Sequence, residues 1–309
     1  MPSILGFGAH LPGLVLDNAA LAAEFGIEPD WIFQMSGIET RRAAAPGETV
    51  VDLAERAALA CLERCGMAAA DLGGIVVGTG TPHRQFPGVS ASLQQRLGVV
   101  DIPAFDIHLA SVGGFFALAT AVDLCPRYGP ILVVGAELMT RVMAREPRAK
   151  ETAILFGDGA GACVVAPGDG PFAVVDIRMQ SDGTFADELS LEYGGAFTMN
   201  GRTVILQANR KLRQSITELL GRNGLAAGDV DLWLFHQANV NLLRQVGKAL
   251  GIPEDRVPLT LPRYGNTSAA SLFIAAAEAQ AEGRFRPGHA VMAAFGAGMG
   301  WGSALLRVR

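Results

Sequence analysis

Apolar residues return every three to four positions between Val51 and Cys65, at Leu53, Ala57, Ala60, Cys61 and Leu62. That spacing predicts an amphipathic helix. The next run, Leu72-Gly73-Gly74-Ile75-Val76-Val77-Gly78, is short, continuous and rich in β-branched residues, the pattern of a strand buried on both faces. Ile4 to Gly8 and Ile131 to Gly135 read as strands in the same way, and Asn18 to Phe25, Glu28 to Met35 and Val89 to Leu97 read as helices. One stretch joins both patterns. The residues after Pro103 are apolar, the run breaks at small residues around Ser111, and it resumes as Phe115-Phe116-Ala117-Leu118-Ala119-Thr120-Ala121-Val122. This predicts a strand, a tight turn and a buried helix, with Ser111 just before or inside the first helical turn. Unpaired N–H groups and about half a unit of positive charge from the helix dipole meet at such a place. On this pattern alone Ser111 is either an N-cap or a nucleophile.

The second half repeats the first. Gly66 to Val77 aligns without a gap with Gly224 to Phe235, and each segment follows an amphipathic helix and ends in a buried strand. Each is followed by a helix closing on Leu-Gly, at Leu97-Gly98 and Leu250-Gly251. A small or polar turn then feeds an Ala-rich helix, at Ser111 and at Asn266-Thr267-Ser268. Each half ends in a Gly-rich turn and a strand, Phe156 to Val165 and Phe295 to Leu306. We read this as a duplicated α/β unit, residues 1–168 and 169–309, linked through Pro167-Gly168-Asp169-Gly170-Pro171. A duplication brings equivalent turns together about a pseudo-dyad, so Ser111 and Asn266 are expected to face one site.

Composition narrows the function classes. Half of the 309 residues are hydrophobic and 18% are charged, enough to bury a large core. A net charge of −5 leaves no basic footprint for nucleic acid. Cys61, Cys65, Cys125 and Cys163 show no zinc spacing and are expected as reduced, mostly buried thiols. No apolar run approaches the ~18 residues of a membrane span, and the start lacks a charged segment ahead of an apolar one. A cytoplasmic protein without metal is the expectation.

Three further segments carry chemistry. The strand Leu232 to Phe235 runs into His236-Gln237-Ala238-Asn239, and a His at the carboxyl end of a buried strand stands where α/β sheets bind ligands. Tyr264-Gly265-Asn266-Thr267-Ser268 places an amide at a helix start, and Gly296-Ala297-Gly298 lets backbone N–H groups approach a ligand. Each has a plain structural alternative: a hydrogen-bonded His, an Asn cap, a simple turn. Together, with Trp31-Ile32, Ser36-Gly37-Ile38, Phe86-Pro87, Phe156-Gly157-Asp158-Gly159-Ala160-Gly161 and Trp301-Gly302-Ser303-Ala304-Leu305, they resemble the thiolase superfamily, most closely the β-ketoacyl-acyl-carrier-protein synthase III family. The resemblance spans nearly the whole chain.

It implies a thiolase-like five-layer αβαβα fold built from two duplicated halves and working as a homodimer, with no metal or redox cofactor. It implies acylation of a Cys at the buried helix start by an acyl-CoA. A malonyl group on acyl carrier protein or CoA then decarboxylates, and the enolate, held by His and Asn, attacks the acyl group. The matching positions are Ser111, His236 and Asn266, with the backbone at Ser111 and Ala297 as the oxyanion donors. Trp31, Phe86, Phe156, Asn239 and Gly298 are the implied substrate contacts, Phe86 crossing the dimer interface.

The chain departs from that family at the nucleophile, where Ser111 stands for Cys. A Ser hydroxyl is a much weaker acid than a thiol, and only His236 is placed to act as its base. Three explanations remain open: a Ser-using relative, a member that transfers acyl groups elsewhere, only decarboxylates or serves as a non-catalytic partner subunit, and an introduced Cys-to-Ser change. Met35 and Asn241 also stand where the family often has Arg, at the CoA adenine and the carrier-protein surface, which shifts the expectation toward a specialised pathway. A Ser-His hydrolase is disfavoured, since Ala110-Ser111-Val112-Gly113-Gly114 is not a G-x-S-x-G elbow. His108 is expected on the strand leading to Ser111, as a structural residue.

Overall fold

A computed structural model describes residues 1–144, 146 and 149–309. In the first half the elements are β1 (Ser3–His10), β2 (Leu14–Asp17), α1 (Asn18–Phe25), α2 (Pro29–Ser36), β3 (Thr40–Ala43), α3 (Val50–Cys65), β4 (Gly74–Gly78), α4 (Val89–Leu97), β5 (Ala104–Ile107), α5 (Gly113–Tyr128), β6 (Ile131–Leu138), α6 (Lys150–Ala153) and β7 (Asp158–Ala166). The second contains β8 (Phe172–Ser181), β9 (Leu189–Leu191), β10 (Phe197–Met199), α7 (Gly201–Arg222), β11 (Leu232–Phe235), α8 (Val240–Leu250), α9 (Leu261–Tyr264), α10 (Ser271–Ala281), β12 (Gly288–Gly296) and β13 (Gly300–Val308).

Nine strands run in the order β11-β12-β13-β8-β1-β7-β6-β4-β5. The order reads symmetrically outward from the antiparallel contact of β1 with β8, where Ser3 faces Ala173. On each side two antiparallel steps (β1-β7-β6 and β8-β13-β12) lead to one parallel step (β6-β4 and β12-β11). Only β5 has no counterpart in this sheet. The repeat extends to single atoms. Gly66 and Gly224 both take a left-handed φ, +61° and +65°, past the preceding helix. Asp71 and Asp229 then each accept an N–H three residues back, from Ala68 and Ala226.

Helix α3 packs outside β1, β6 and β7, with Leu53, Ala57 and Cys61 among the buried face expected from their spacing. Helices α7 and α8 cover the outer face of the second sheet half around Trp233 and Phe235. Between the sheet halves lie α5 and α10, whose Phe115, Leu118 and Phe273 pack against Val133 and Cys163 from one half and Leu234 and Met292 from the other. The result is five layers, αβαβα. Each large side chain buried there contributes about 1.5–3 kcal/mol, and both central helices are apolar enough to be covered on two sides. Among the described residues no helix is long and apolar enough to cross a membrane.

The expected strand at Ile131 runs on to Leu138, which carries Glu137 into the interior. His108 does not lie on the strand leading to Ser111: β5 ends at Ile107, and His108 is an exposed residue of the turn beyond it.

Candidate active site

The turn after β5 places Ser111 in the left-handed region, with φ +64°. Such a conformation costs an L-residue about 1–2 kcal/mol and persists only when its surroundings over-determine it. Val112 precedes the first residue of α5, so Ser111 is not the helix cap. The Ser111 N–H donates to Ser268 Oγ at 2.8 Å. Gly296 lies against the same turn so closely that a Cβ there would sit 2.5 Å from Ala110 O and Val112 N. This is the physical reason for Gly in Phe295-Gly296-Ala297.

His236 follows β11 directly, and its N–H donates to Ala293 O at 2.9 Å. Its Nδ1 lies 2.6 Å from Ser271 Oγ, at the start of α10. Burial, with no charged neighbour to oppose it, lowers the imidazole pKa to about 4. The ring is therefore neutral near pH 7. The other two polar residues of the His236-Gln237-Ala238-Asn239 motif hold the scaffold. Gln237 Oε1 accepts from Thr260 and Leu261, while Asn239 Oδ1 caps α8 and its Nδ2 donates to Met35 O.

Asn266 is delivered by a loop that needs the other half to hold it. Its N–H donates to Leu155 O and its carbonyl accepts from Gly157 N–H. A Cβ on Gly157 would lie 2.3 Å from Tyr264 O. The Asp158 carboxylate accepts from Ala44 N–H and from both the N–H and hydroxyl of Thr140. Gly157 and Leu155 thus tie the first half to the loop of the second, while Asp158 braces its own half.

Ser111, Phe156, His236, Asn239 and Asn266 line one narrow cavity of about 80 Å³, walled by apolar side chains such as Leu189, Val204 and Leu242. Ser111 is 8% exposed, His236 6% and Asn266 5%. Behind the Ser111 turn a larger cavity of about 650 Å³ is lined by His83, His108, Ala110, Leu189, Tyr193 and Ala297, among others. Gly296 faces the first cavity and Ala297 the second.

Several expected roles are not met as expected. The two N–H groups assigned to an oxyanion are engaged within the protein: that of Ser111 by Ser268 Oγ, that of Ala297 by Ala110 O at 3.2 Å. Trp31, Phe86 and Gly298 line neither cavity. Trp31 packs near Leu21 and Ile32 with Lys150 Nζ 5.5 Å from its ring centre, Phe86 is 83% exposed, and Gly298 sits in a short turn with φ +110°. Asn241, at the carrier-surface position, donates its amide to Gln34 O and Met35 O and so ties α8 to α2. Sequence reasoning missed Glu137, a fully buried carboxylate beside the site. Its signal was legible: a lone acid in the otherwise apolar run Ile131 to Met139.

Comparison with known proteins places this geometry. Residues 220–308 match the family described as 3-oxoacyl-[acyl-carrier-protein (ACP)] synthase III C terminal, and residues 105–183 match 3-oxoacyl-[acyl-carrier-protein (ACP)] synthase III. The β-ketoacyl-[acyl-carrier-protein] synthase III of Oleidesulfovibrio alaskensis is 39% identical, over 98% of both chains. That of Paramagnetospirillum magneticum is 38% identical over 99% of this chain and 98% of its own. The crystal structure of the Aquifex aeolicus synthase III superposes with a TM-score of 0.95 at 34% identity, over 99% of this chain and 100% of that one. The priming β-ketosynthase of the R1128 polyketide pathway gives 0.93 at 30% identity, over 100% and 96%. A thiolase-type fold, a buried His and Asn beside a strained turn, and relatives matching end to end lead to one assignment: this chain belongs to the β-ketoacyl-[acyl-carrier-protein] synthase III family and is an acyltransferase of that type.

Proposed function

We propose that the chain condenses an acyl-CoA with a malonyl thioester, carried on acyl carrier protein or CoA, and that Ser111 is the residue that takes the acyl group. The observation that carries this is the single buried cavity shared by Ser111 of one half and His236 and Asn266 of the other. Ser111 Oγ attacks the thioester carbonyl, CoA leaves as its thiol with the hydroxyl proton, and an ester remains. The malonyl carboxylate then departs as CO₂. The electron pair left on carbon is held as an enolate by the His236 and Asn266 donors, and it attacks the ester carbonyl to form the β-ketoacyl thioester and expel the Ser111 oxygen, which takes up a proton from solvent to restore the hydroxyl. A neutral imidazole and an amide suit this role because they donate without carrying charge. Donors of this kind are each worth about 3 kcal/mol of barrier.

A second reading is favoured by one observation. An imidazole whose pKa is held near 4 is a weak base for a Ser hydroxyl. Decarboxylation needs only the two donors, so a chain that is acylated slowly still releases CO₂. Incubation with an acyl-CoA and malonyl-CoA, or malonyl-acyl carrier protein, separates the two. Condensation yields one β-ketoacyl product per CO₂. Release of CO₂ with no such product supports the decarboxylase, and neither product contradicts both readings.

The 650 Å³ cavity lies beside the exposed loop that carries Phe86, and a homodimer bringing Phe86 of a second copy to that cavity is the assembly we propose for setting acyl-chain size.

A further inference from the structure

Among the described residues, three that are not glycine have a left-handed φ: Ser111 at +64°, Ser268 at +49° and Asp101 in an exposed loop. The first two stand at the entrances of the two central helices, α5 and α10, one from each half. They are bonded to each other, Ser111 N–H donating to Ser268 Oγ at 2.8 Å. Strained residues of this kind persist only where their surroundings hold them in place.

Beside them lies Glu137, near the end of β6 and wholly buried. Ser268 Oγ–H donates to Glu137 Oε1 at 2.9 Å and Thr81 Oγ1–H to Oε2 at 2.6 Å. The N–H of Gly80 reaches both oxygens at 3.0 and 3.1 Å, and the Thr79 hydroxyl and Ala269 N–H add longer bonds. Every one of these neighbours is a neutral donor, and their hydrogen bonds favour the ionised form against a burial that, overall, raises the carboxyl pKa. Because the Ser268 hydroxyl donates its hydrogen bond to Glu137 Oε1, its lone pairs are left for Ser111 N–H. The Ser268 backbone N–H meanwhile donates to Asn266 Oδ1 at 2.9 Å. A backbone N–H can only donate, so the Asn266 oxygen is committed and its Nδ2 is the group left to serve as donor.

We propose that Glu137 is a positioning residue: through Ser268 it holds the Ser111 N–H and the Asn266 amide in register across the two halves. The inference rests on the reading of Ser111 and Asn266 as site residues and adds the group that sets their geometry. A carboxylate is suited to this as an amide is not. In Glu137→Gln one of the two oxygens becomes an NH₂ donor facing Ser268 or the Thr81–Gly80 donors, and the hydroxyl relay loses its direction.

The test labels the serines with ¹⁵N and follows hydrogen exchange of the Ser111 amide in wild type, Glu137→Gln, Ser268→Ala and the double variant. In parallel, CO₂ release is measured with malonyl-CoA as the probe. The expected result is faster Ser111 exchange in both single variants, with no further change in the double. The kcat for CO₂ release is expected to fall on the order of tenfold to a hundredfold, the cost of small misplacement, with KM little changed. Ser111 protection unchanged in Glu137→Gln, or effects of the two single variants that simply add, overturns the proposal. Should Glu137→Gln fail to fold, Glu137→Asp takes its place under the same criteria. If wild type releases no CO₂, the enzymatic reading fails, while the exchange data still decide whether Glu137 holds Ser111.

Discussion

At the scale of single residues, the account turns on protons. His236 is buried and its pKa falls to about 4, whereas an unfolded His titrates near 6.5. Between those values the unfolded chain holds a proton that the folded chain does not. The stability His236 contributes is therefore complete above about pH 6.5 and is lost as the pH falls toward 4, by on the order of 3 kcal/mol. Urea unfolding at pH 7 and pH 4.5 is expected to show a smaller pH-dependent loss in His236→Asn than in wild type; equal losses contradict the assignment. Asn266 makes a different expectation. With its oxygen bound to Ser268 N–H, Asn266→Ala removes a donor aimed at the cavity and is expected to slow CO₂ release from malonyl-CoA about 10²- to 10³-fold. A change below tenfold in steady-state kinetics argues that another group holds the enolate. Both residues were legible before any coordinates, since each ends a recognisable strand or turn motif. Their hydrogen-bond partners, Ser271 for the imidazole and the Ser268 N–H for the amide, were not, because such pairings are set only by folding.

At the scale of elements, periodicity was most informative where a face is buried. Helix α3 begins one residue from the expected Val51 and ends at the expected Cys65, and α1 and α4 match their expected ranges. The hairpin of β9 and β10 was invisible, because three-residue strands either side of a polar turn carry no period. Of the expected oxyanion donors, Ser111 N–H turns to Ser268 Oγ, and Ala297 N–H turns to Ala110 O where Gly296 packs tightly on the Ser111 turn. That packing yields a direct expectation. Gly296→Ala forces a methyl against Ala110 O, Val112 N and Ser111 Cβ, and is expected to cost about 1–3 kcal/mol of stability. Calorimetry showing an unchanged melting temperature contradicts the close approach.

At the scale of the whole molecule, duplication is the organising fact, and it was readable from the gapless match of Gly66–Val77 with Gly224–Phe235. The sheet reproduces it strand by strand, save that β5 lacks a partner. Duplication explains why the site needs both halves: each supplies one strained serine turn, and the Phe156–Asn266 contact and Glu137 stitch them together. What one chain could not reveal is the end of the acyl pocket, where a second copy is proposed to bring Phe86. In sedimentation the protein is expected as a dimer, and Phe86→Ala is expected to shift acyl preference toward bulkier groups while the dimer persists. An unchanged preference across an acyl-CoA panel removes Phe86 from the pocket.

The central claim is that Ser111 carries the acyl group, and intact-protein mass spectrometry tests it most directly. Wild type, Ser111→Ala and Ser111→Cys are each incubated with a panel of acyl-CoAs. The account predicts an added acyl mass on wild type that is absent from Ser111→Ala and forms faster on Ser111→Cys. Acylation of Ser111→Cys alone would contradict it and leave the Ser111 chain as a decarboxylase, a partner subunit or the product of an introduced Cys-to-Ser change.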